Sequence, residues 1–272
     1  MRKTFKPFVM PPSTKIMRQF CQIFFVLLIL FNGAVTSQAG ETSKANVLGF
    51  TKDGSYFAFE EYGIGDGLGL PYVTVFGLEV AKDKWLPGSP VRLALRESDP
   101  LPDNGDLTGD ASAELLAQTR EKAVDKAQSF LQPLGALGHG SLRAHNVPWH
   151  VGNDTRLVRF TSVDLIPSDK KVWRLELEQS NFPAREDCFG FADNMKGFRL
   201  RLTDEVTGIS RLINNDVKIP RSRPCPLGYS IEQVWTHQGI DAPAVFAILI
   251  RFQTVGFEGP DGRLLAITGL LQ

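Results

Sequence analysis

Alternating apolar and polar residues restrict the fold of this 272-residue chain more than any other feature. Between Trp173 and Glu178 every second residue is apolar and the residues between them are charged, and Val91–Arg96 has a similar pattern. Successive side chains of a β-strand point to opposite faces, so these segments predict strands with one buried face. About ten segments carry strand signals of this kind, and we therefore expect a mainly β protein.

One stretch has a helical pattern instead. Small and apolar residues recur at intervals of three and four from Ala113 to Phe130, Asp110 is placed to cap the first turn, and Pro133 ends the pattern. We expect one α-helix near residues 110–131, inserted between two groups of strands.

A tight hairpin is predicted at Asp53-Gly54, directly before an aromatic strand, because Asp-Gly is a favoured turn pair. Gly49–Phe59 has a partial echo in Gly256–Ile267, which also holds an Asp-Gly pair. In propellers the first and last strands often share one blade, and this pairing closes the ring. The two similar segments lie near the two ends of the chain after the leader, as such an arrangement would require. A complete propeller needs about four or more blades of about four strands. We therefore expect antiparallel sheets forming a sandwich or a partial propeller-like sheet, with a complete small β-propeller as the alternative.

The first 39 residues predict a secretory leader rather than part of the fold. A basic stretch without acids precedes the apolar run Ile23–Phe31, and small residues follow. The run is shorter than the roughly 20 residues that span a bilayer. We expect cleavage near Ala39-Gly40, whether translation starts at Met1 or Met17, with an uncleaved anchor as the alternative. Residues 40–272 are then expected to form a single mainly β domain with no stable membrane span.

Charge argues against a nucleic-acid partner. The chain has 30 basic and 30 acidic residues, but five of the basic residues and none of the acidic ones lie in the leader. The exported chain is therefore acidic, whereas nucleic-acid-binding proteins usually carry a basic face. This balance suits a globular protein outside the cytoplasm, either periplasmic or secreted.

Two cysteines, Cys188 and Cys225, remain once the leader with Cys21 is removed. Exported chains meet an oxidising compartment, so we expect the two to form a structural disulfide. A redox-active pair is the alternative, although such pairs usually lie close together in sequence, as in C-x-x-C.

Three segments of the chain, Gly49–Tyr72, Arg223–Tyr229 and Gly256–Thr268, resemble conserved blocks of a bacterial family, the domain of unknown function 2259. The resemblance covers nearly all of the chain after the leader. It implies an exported protein without an assigned activity, and it assigns no catalytic residues. The first segment is also similar to the strand–Asp-Gly–strand units of TolB-type propellers.

Candidate binding residues occur first in the segment that contains Glu60, Asp66 and Tyr72. Carboxylates beside a glycine-rich bend could bind Ca²⁺ or serve as an acid–base pair. Glu60 and Glu61 are adjacent on a predicted strand, so they point to opposite faces and at most one of them can join Asp66. The alternative is a charged strand end followed by a turn.

The second pair of candidates is Arg221 and Arg223, which lie among three prolines in Pro220–Tyr229. If Cys225 is tied to Cys188, this segment forms a rigid basic ridge, and arginine binds carboxylates or phosphates through paired hydrogen bonds. A simple strand connection held by the disulfide is the alternative.

Three histidines, His139, His145 and His150, lie in the predicted loop Gly138–Pro148 or just after it. Imidazoles bind Zn²⁺ or Cu²⁺, but the spacing here matches no standard zinc pattern. We expect solvated loop histidines, and neither a metal nor another cofactor.

The sequence contains no G-x-S-x-G elbow, no phosphate-binding loop and no H-E-x-x-H motif. We therefore expect a non-enzymatic binding or scaffold module of the bacterial envelope, whose partner is an envelope protein or a small ligand. The alternative is a hydrolase that depends on carboxylates near Glu60 and Asp66 or on a metal.

Overall fold

The computed structural model describes residues 40–65, 68–99, 109–146, 155–162, 171–188, 190, 193–257 and 259–271. Within them the chain is mainly β, with thirteen strands in three antiparallel sheets and one α-helix, α1 (Gly109–Leu131). The strands are β1 (Lys44–Phe50), β2 (Tyr56–Ile64), β3 (Pro71–Glu79), β4 (Lys84–Trp85), β5 (Val91–Ala94), β6 (Ser141–His145), β7 (Leu157–Thr161), β8 (Val172–Pro183), β9 (Asn194–Asp204), β10 (Ser210–Asn215), β11 (Gly228–His237), β12 (Val245–Val255) and β13 (Pro260–Leu270). No helix in these ranges is long and apolar enough to cross a membrane.

The strands form two outer sheets and a central one. Sheet I has the order β1-β2-β3-β4, with β5 also paired to β3, and sheet II has the order β10-β9-β8-β7. The central sheet has the order β13-β12-β11-β6, so β13 is one of its edge strands. The central sheet lies between the other two, because its two faces contribute to separate apolar clusters shared with sheet I and with sheet II.

Strand β12 shows why the layers stack in this order. Val245 and Leu249 pack among aromatic residues of sheet I such as Phe57, whereas Ile248 packs among residues of sheet II such as Leu200. A strand that is covered on both faces needs a nearly continuous apolar sequence. This requirement explains why every residue of Val245–Phe252 is buried.

Helix α1 covers the outer face of sheet I, where Ala123 and Ala127 are fully buried against Val73 and Val75. The helix lies where it was expected, but it begins at Gly109. Asp110 therefore lies inside the first turn and is not the N-cap, although a carboxylate there still interacts favourably with the helix dipole.

The complete propeller is wrong for the described residues, because their three sheets stack face to face as a sandwich of layers. Asp53-Gly54 does form the β1–β2 turn, with Gly54 at a φ of 76° that glycine adopts readily. The second Asp-Gly pair, Asp261-Gly262, lies inside β13 rather than in a turn. The two pairs belong to different sheets, and Gly262 instead bridges to Thr42.

The segment Gly138–Pro148 was expected to be a loop, and this is wrong for its central part. Ser141–His145 forms β6, which pairs with β11 and completes the central sheet. The strand was missed because only Ala144 packs on the core and Leu142 is exposed, so the segment lacks a clear apolar alternation.

Candidate binding site beside strand β13

The outer edge of β13 pairs with backbone at Gly262, whose carbonyl accepts from the amide of Ser43 and whose amide donates to the carbonyl of Glu41. Further along β13, this edge is completed by side chains. In the regular antiparallel pairing with β12, the even-numbered residues of β13 direct their amides and carbonyls away from β12. The amide of Leu264 donates a hydrogen bond to Glu61 Oε1 (2.8 Å), and the amide of Thr268 donates one to Asp83 Oδ1 (2.7 Å). Two carboxylates of sheet I therefore take the place of a neighbouring strand at these two positions.

Ala266 lies midway between Leu264 and Thr268, and its amide and carbonyl point outward in the same direction. Neither group makes a hydrogen bond within the described part of the chain. A cavity of about 430 Å³ lies along this part of β13. Its volume falls within the range of small-molecule pockets, and we call it the edge groove.

The edge groove has mainly apolar walls with a few charged groups. Sheet I supplies one wall, and the segment before β11 together with sheet II and β12 supplies the other. Apart from Tyr72, the aromatic and proline residues of the walls are Phe76, Trp85, Phe198, Phe252, Pro220 and Pro224. The titratable residues that line the groove are Glu61, Tyr72, Arg92, Arg223 and Arg263.

Tyr72, a predicted binding residue, lies in this lining under Arg263. The Arg263 guanidinium carbon is 4.1 Å from the centroid of the Tyr72 ring, and Arg263 also pairs with Glu41 at 2.6 Å. Burial raises the pKa of Tyr72, Arg263 opposes the rise, and the Glu41 carboxylate adds to it. Gly63 allows this arrangement, since a Cβ there would lie 2.3 Å from the Tyr72 hydroxyl.

Glu60, another predicted binding residue, lies outside the edge groove. It faces α1, where its two carboxylate oxygens accept hydrogen bonds from Arg120 Nε (2.9 Å) and Nη2 (2.8 Å). Asn46 donates a third hydrogen bond to the same carboxylate (3.0 Å). The structure thus uses Glu60 to hold α1 on sheet I. Asp66 lies outside the described residues.

Glu61 has the opposite orientation, as its place in the strand predicted. Its side chain points to the central sheet, and burial raises the pKa of its carboxyl group, although the Leu264 amide, Ser43 and Arg263 favour the ionised form. Burial raises the pKa of Asp83 in the same way, against the hydrogen bonds from Thr268. The edge groove therefore has one buried carboxylate, that of Glu61, in its lining.

The two candidate arginines have different environments. Arg223 is 8% exposed and binds Asp216 through two hydrogen bonds of 2.7 Å, with a third to the Tyr229 hydroxyl. Burial raises the pKa of Tyr229 to about 12, against the effect of Arg223. Arg221 is exposed and lines a separate surface depression with Arg185. The expected basic ridge is therefore present only at Arg221, and Arg223 already holds a carboxylate of its own chain.

The expected disulfide joins Cys188 to Cys225, with their Cα atoms 5.5 Å apart. Both residues are buried, with Met195, in a small cluster between sheet II and the segment that leads to β11. The disulfide thereby fixes the segment that carries Pro220, Arg223 and the second wall of the edge groove. Burial of both cysteines favours this structural role over redox chemistry.

The predicted histidine loop does not bring its residues to a shared metal site within the described residues. The backbone of His139 bridges to Phe50, and its ring lies 5.5 Å from the ring of His237. His145 ends β6, and His150 lies outside the described residues. In the described ranges, metal-like ligand spacing occurs only at Asp187 with the two disulfide cysteines.

Sequence reasoning missed Asp83, Arg92 and Arg263 as residues at or near the groove. Arg92 and Arg263 carried a usable signal, because each is a charged residue on a strand otherwise rich in apolar residues. Asp83 gave no signal, since a polar turn after β3 is expected to contain such a residue.

The fold and the groove define a layered β protein with a preformed, mainly apolar, arginine-containing cavity at the outer edge of β13. The chain belongs to the family described as "Predicted secreted protein (DUF2259)", whose model matches residues 58–269. No curated protein and no solved structure matches the chain.

Proposed function

We propose that this protein is an exported, non-enzymatic binding protein of the bacterial envelope and that its ligand occupies the edge groove. The observation that carries the proposal is the combination, in one cavity, of aromatic walls, arginine side chains and an open backbone pair at Ala266. Ligand sites are typically apolar cavities with a few well-placed polar groups.

Three features support export. The family is described as a predicted secreted protein, and the first 39 residues have the basic, apolar and small-residue order of a leader. The disulfide adds to this support, because disulfides persist in oxidising compartments.

Preorganisation supports binding at the groove. The disulfide fixes one wall, and the Arg223–Asp216 pair fixes the same segment from within. The β3–β2 pairing fixes the other wall. A site that is already ordered loses less conformational entropy when a ligand binds.

The alternative of a carboxylate-dependent hydrolase has one observation in its favour, which is the raised pKa of Glu61 in the groove lining. Glu60 does not contribute, because it faces α1 on the other side of sheet I. Acid–base hydrolysis by a carboxylate pair needs a second acid near the reacting bond, and Glu61 is the one acid in the described lining. Binding is therefore the function that we propose.

Native mass spectrometry of the protein, purified gently from the envelope of its own host, tests the proposal. The wild type is expected to retain a ligand or partner. Ala94→Trp, which places an indole in the groove from an exposed position of β5, is expected to lose it. Ala136→Trp, at an exposed position outside the groove lining, is the matched control and should retain it. A wild type that carries nothing, or a ligand that survives Ala94→Trp, would contradict the proposal.

A further inference from the structure

We propose that the ligand of the edge groove is a short extended peptide segment of a partner polypeptide, with one residue paired to the backbone of Ala266 and an acidic side chain bound by Arg92. This inference rests on the proposed binding function and names the chemical class of the ligand.

The backbone of Ala266 defines the first requirement. Ala266 lines the groove, and its amide and carbonyl both point away from β12 and make no hydrogen bond among the described residues. In an antiparallel pair, one residue exchanges an N–H and a C=O with one residue of the neighbouring chain. The group that satisfies both at once is a residue of an extended peptide, as in binding by strand addition.

The flanking carboxylates define the length of the paired stretch. Glu61 accepts the hydrogen bond of the Leu264 amide, and Asp83 accepts that of the Thr268 amide. Since an antiparallel strand rises about 3.4 Å per residue, these two contacts lie about 14 Å apart along β13. A long edge strand, such as one from a second copy of this chain, would need the amides of Leu264 and Thr268 for its own pairing. Both amides already donate to carboxylates, so such a strand is excluded. The geometry therefore selects a short segment that pairs at Ala266 alone.

The walls define the neighbouring side chains of the peptide. Residues on either side of the paired one point to the two faces of the central sheet. One face opens toward Phe76 and Trp85 of sheet I, and the other toward Phe198 and Pro224. Apolar side chains on both sides of the paired residue fit this arrangement.

Arg92 indicates the charge that the bound peptide should carry. It shares its face of sheet I with Thr74, lies exposed in the groove lining, and has no ion-pair partner among the described residues. The two other arginines of the lining are already paired, Arg263 with Glu41 and Arg223 with Asp216. Arg92 thus supplies the uncompensated positive charge, and a carboxylate is the group that arginine binds through two parallel hydrogen bonds.

Panning of a random dodecapeptide phage library on the immobilised protein tests this inference, with the affinity of synthetic copies of the selected peptides as the readout. We expect peptides with an acidic residue and apolar neighbours. Their affinity should fall by about tenfold or more on Arg92→Gln, and Arg96→Gln, a nearby exposed arginine outside the lining, should leave it unchanged.

Ala266→Pro tests the backbone pairing itself. Proline removes only the outward amide, which edge strands tolerate, so the thermal unfolding transition should persist while peptide binding is lost. If this variant does not fold, the selected peptide is methylated at each backbone nitrogen in turn, and methylation at one position should abolish its binding to the wild type.

Four results would overturn the inference. The selected peptides could bind Ala266→Pro as tightly as they bind the wild type. Every methylated form of the peptide could also bind the wild type as tightly as the unmethylated peptide does. Panning could also select nothing while native mass spectrometry finds a small molecule that Ala94→Trp displaces, which would leave the proposed binding function standing. If neither a peptide nor a retained ligand is found, the proposed function fails together with the inference.

Discussion

Glu60 and Glu61 are neighbours in β2, and their carboxylates lie on opposite faces of sheet I. Glu60 binds Arg120 of α1, and Glu61 binds the amide of Leu264 in the central sheet. One strand therefore joins the helix layer to the central sheet through two adjacent acids. The first acid holds the fold together, and the second forms part of the edge groove, so the two residues lead to different predictions.

Substitution of Arg120 by methionine should destabilise the protein. Glu60 has only 2% of its side chain exposed and would be left as a buried carboxylate without a cation. Breaking such a pair from one side costs about 3 kcal/mol or more in the free energy of unfolding, measurable by urea denaturation. The double variant with Glu60→Gln should recover part of the loss.

The control for this prediction is Arg199→Met. Arg199 pairs with Glu178 at 3.6 Å, and both side chains are about half exposed or more. Exposed pairs of this kind contribute less than about 1 kcal/mol. Equal effects of Arg120→Met and Arg199→Met would show that Glu60–Arg120 does not hold α1 on sheet I.

Removal of the disulfide should also lower stability. The bond closes a loop with a sequence separation of 37 residues, for which the chain-entropy model gives a stabilisation of about 4 kcal/mol. The double variant Cys188→Ala/Cys225→Ala should therefore unfold at a clearly lower urea concentration. In the wild type purified from its own host and denatured without reductant, thiol titration should find no free cysteine, and two free thiols would contradict the pairing.

Asp53 should contribute stability that depends on acid pH. Hydrogen bonds from the Thr51 side chain and from Ser55 lower the pKa of its carboxyl group from 3.8 to about 2. The contribution is therefore complete above the ordinary pKa and is lost as the pH falls through the lowered one. At neutral pH, Asp53→Ala should cost about 1 kcal/mol, given that the group is exposed.

The measurement for Asp53 is the urea midpoint at neutral pH and near pH 2. The difference between wild type and Asp53→Ala should shrink at the lower pH. Lys52→Ala, at the adjacent exposed position, should show no such change. A constant difference between Asp53→Ala and wild type at both pH values would refute the role of the carboxylate in the turn.

Glu61 should produce the opposite pH dependence. Burial raises its pKa from 4.5, so between that value and the raised one the native state binds more protons than the unfolded state. The free energy of unfolding therefore falls as the pH rises through this interval. Glu61→Gln keeps an oxygen that accepts from the Leu264 amide and should remove this part of the pH dependence.

Glu61→Leu serves as the comparison for Glu61→Gln. It leaves the buried Leu264 amide without an acceptor, which costs about 1–3 kcal/mol at every pH. If wild type and Glu61→Gln have the same stability profile between pH 4.5 and neutral, the carboxyl group of Glu61 titrates normally and the assignment of its raised pKa is wrong.

Much of the fold could be predicted from local patterns. Period-2 alternation predicted β8, an Asp-Gly pair predicted the β1–β2 turn, and the pairing of Cys188 with Cys225 followed from their number and the predicted leader. The opposite orientation of Glu60 and Glu61 followed from strand geometry alone. These features depend on neighbouring residues or on simple counts, so a single sequence reveals them.

The edge groove could not be predicted in the same way. Its key contact joins Glu61 to Leu264, 203 residues apart in the chain, and depends on how sheet I is placed over the central sheet. Alternation shows which residues share a face but not which sheet covers that face. For the same reason the sequence favoured Glu60, whose burial against Arg120 is visible only once α1 is placed on sheet I.

The central claim is that ligand binds beside Ala266, and hydrogen–deuterium exchange of the protein with and without its host envelope extract tests it most directly. We expect slower exchange, in the presence of extract, in the peptides that cover Tyr72–Ala94 and Arg263–Ile267, and no change around Arg185 and Arg221. Protection confined to the Arg185–Arg221 surface, or no protection anywhere, would contradict the account.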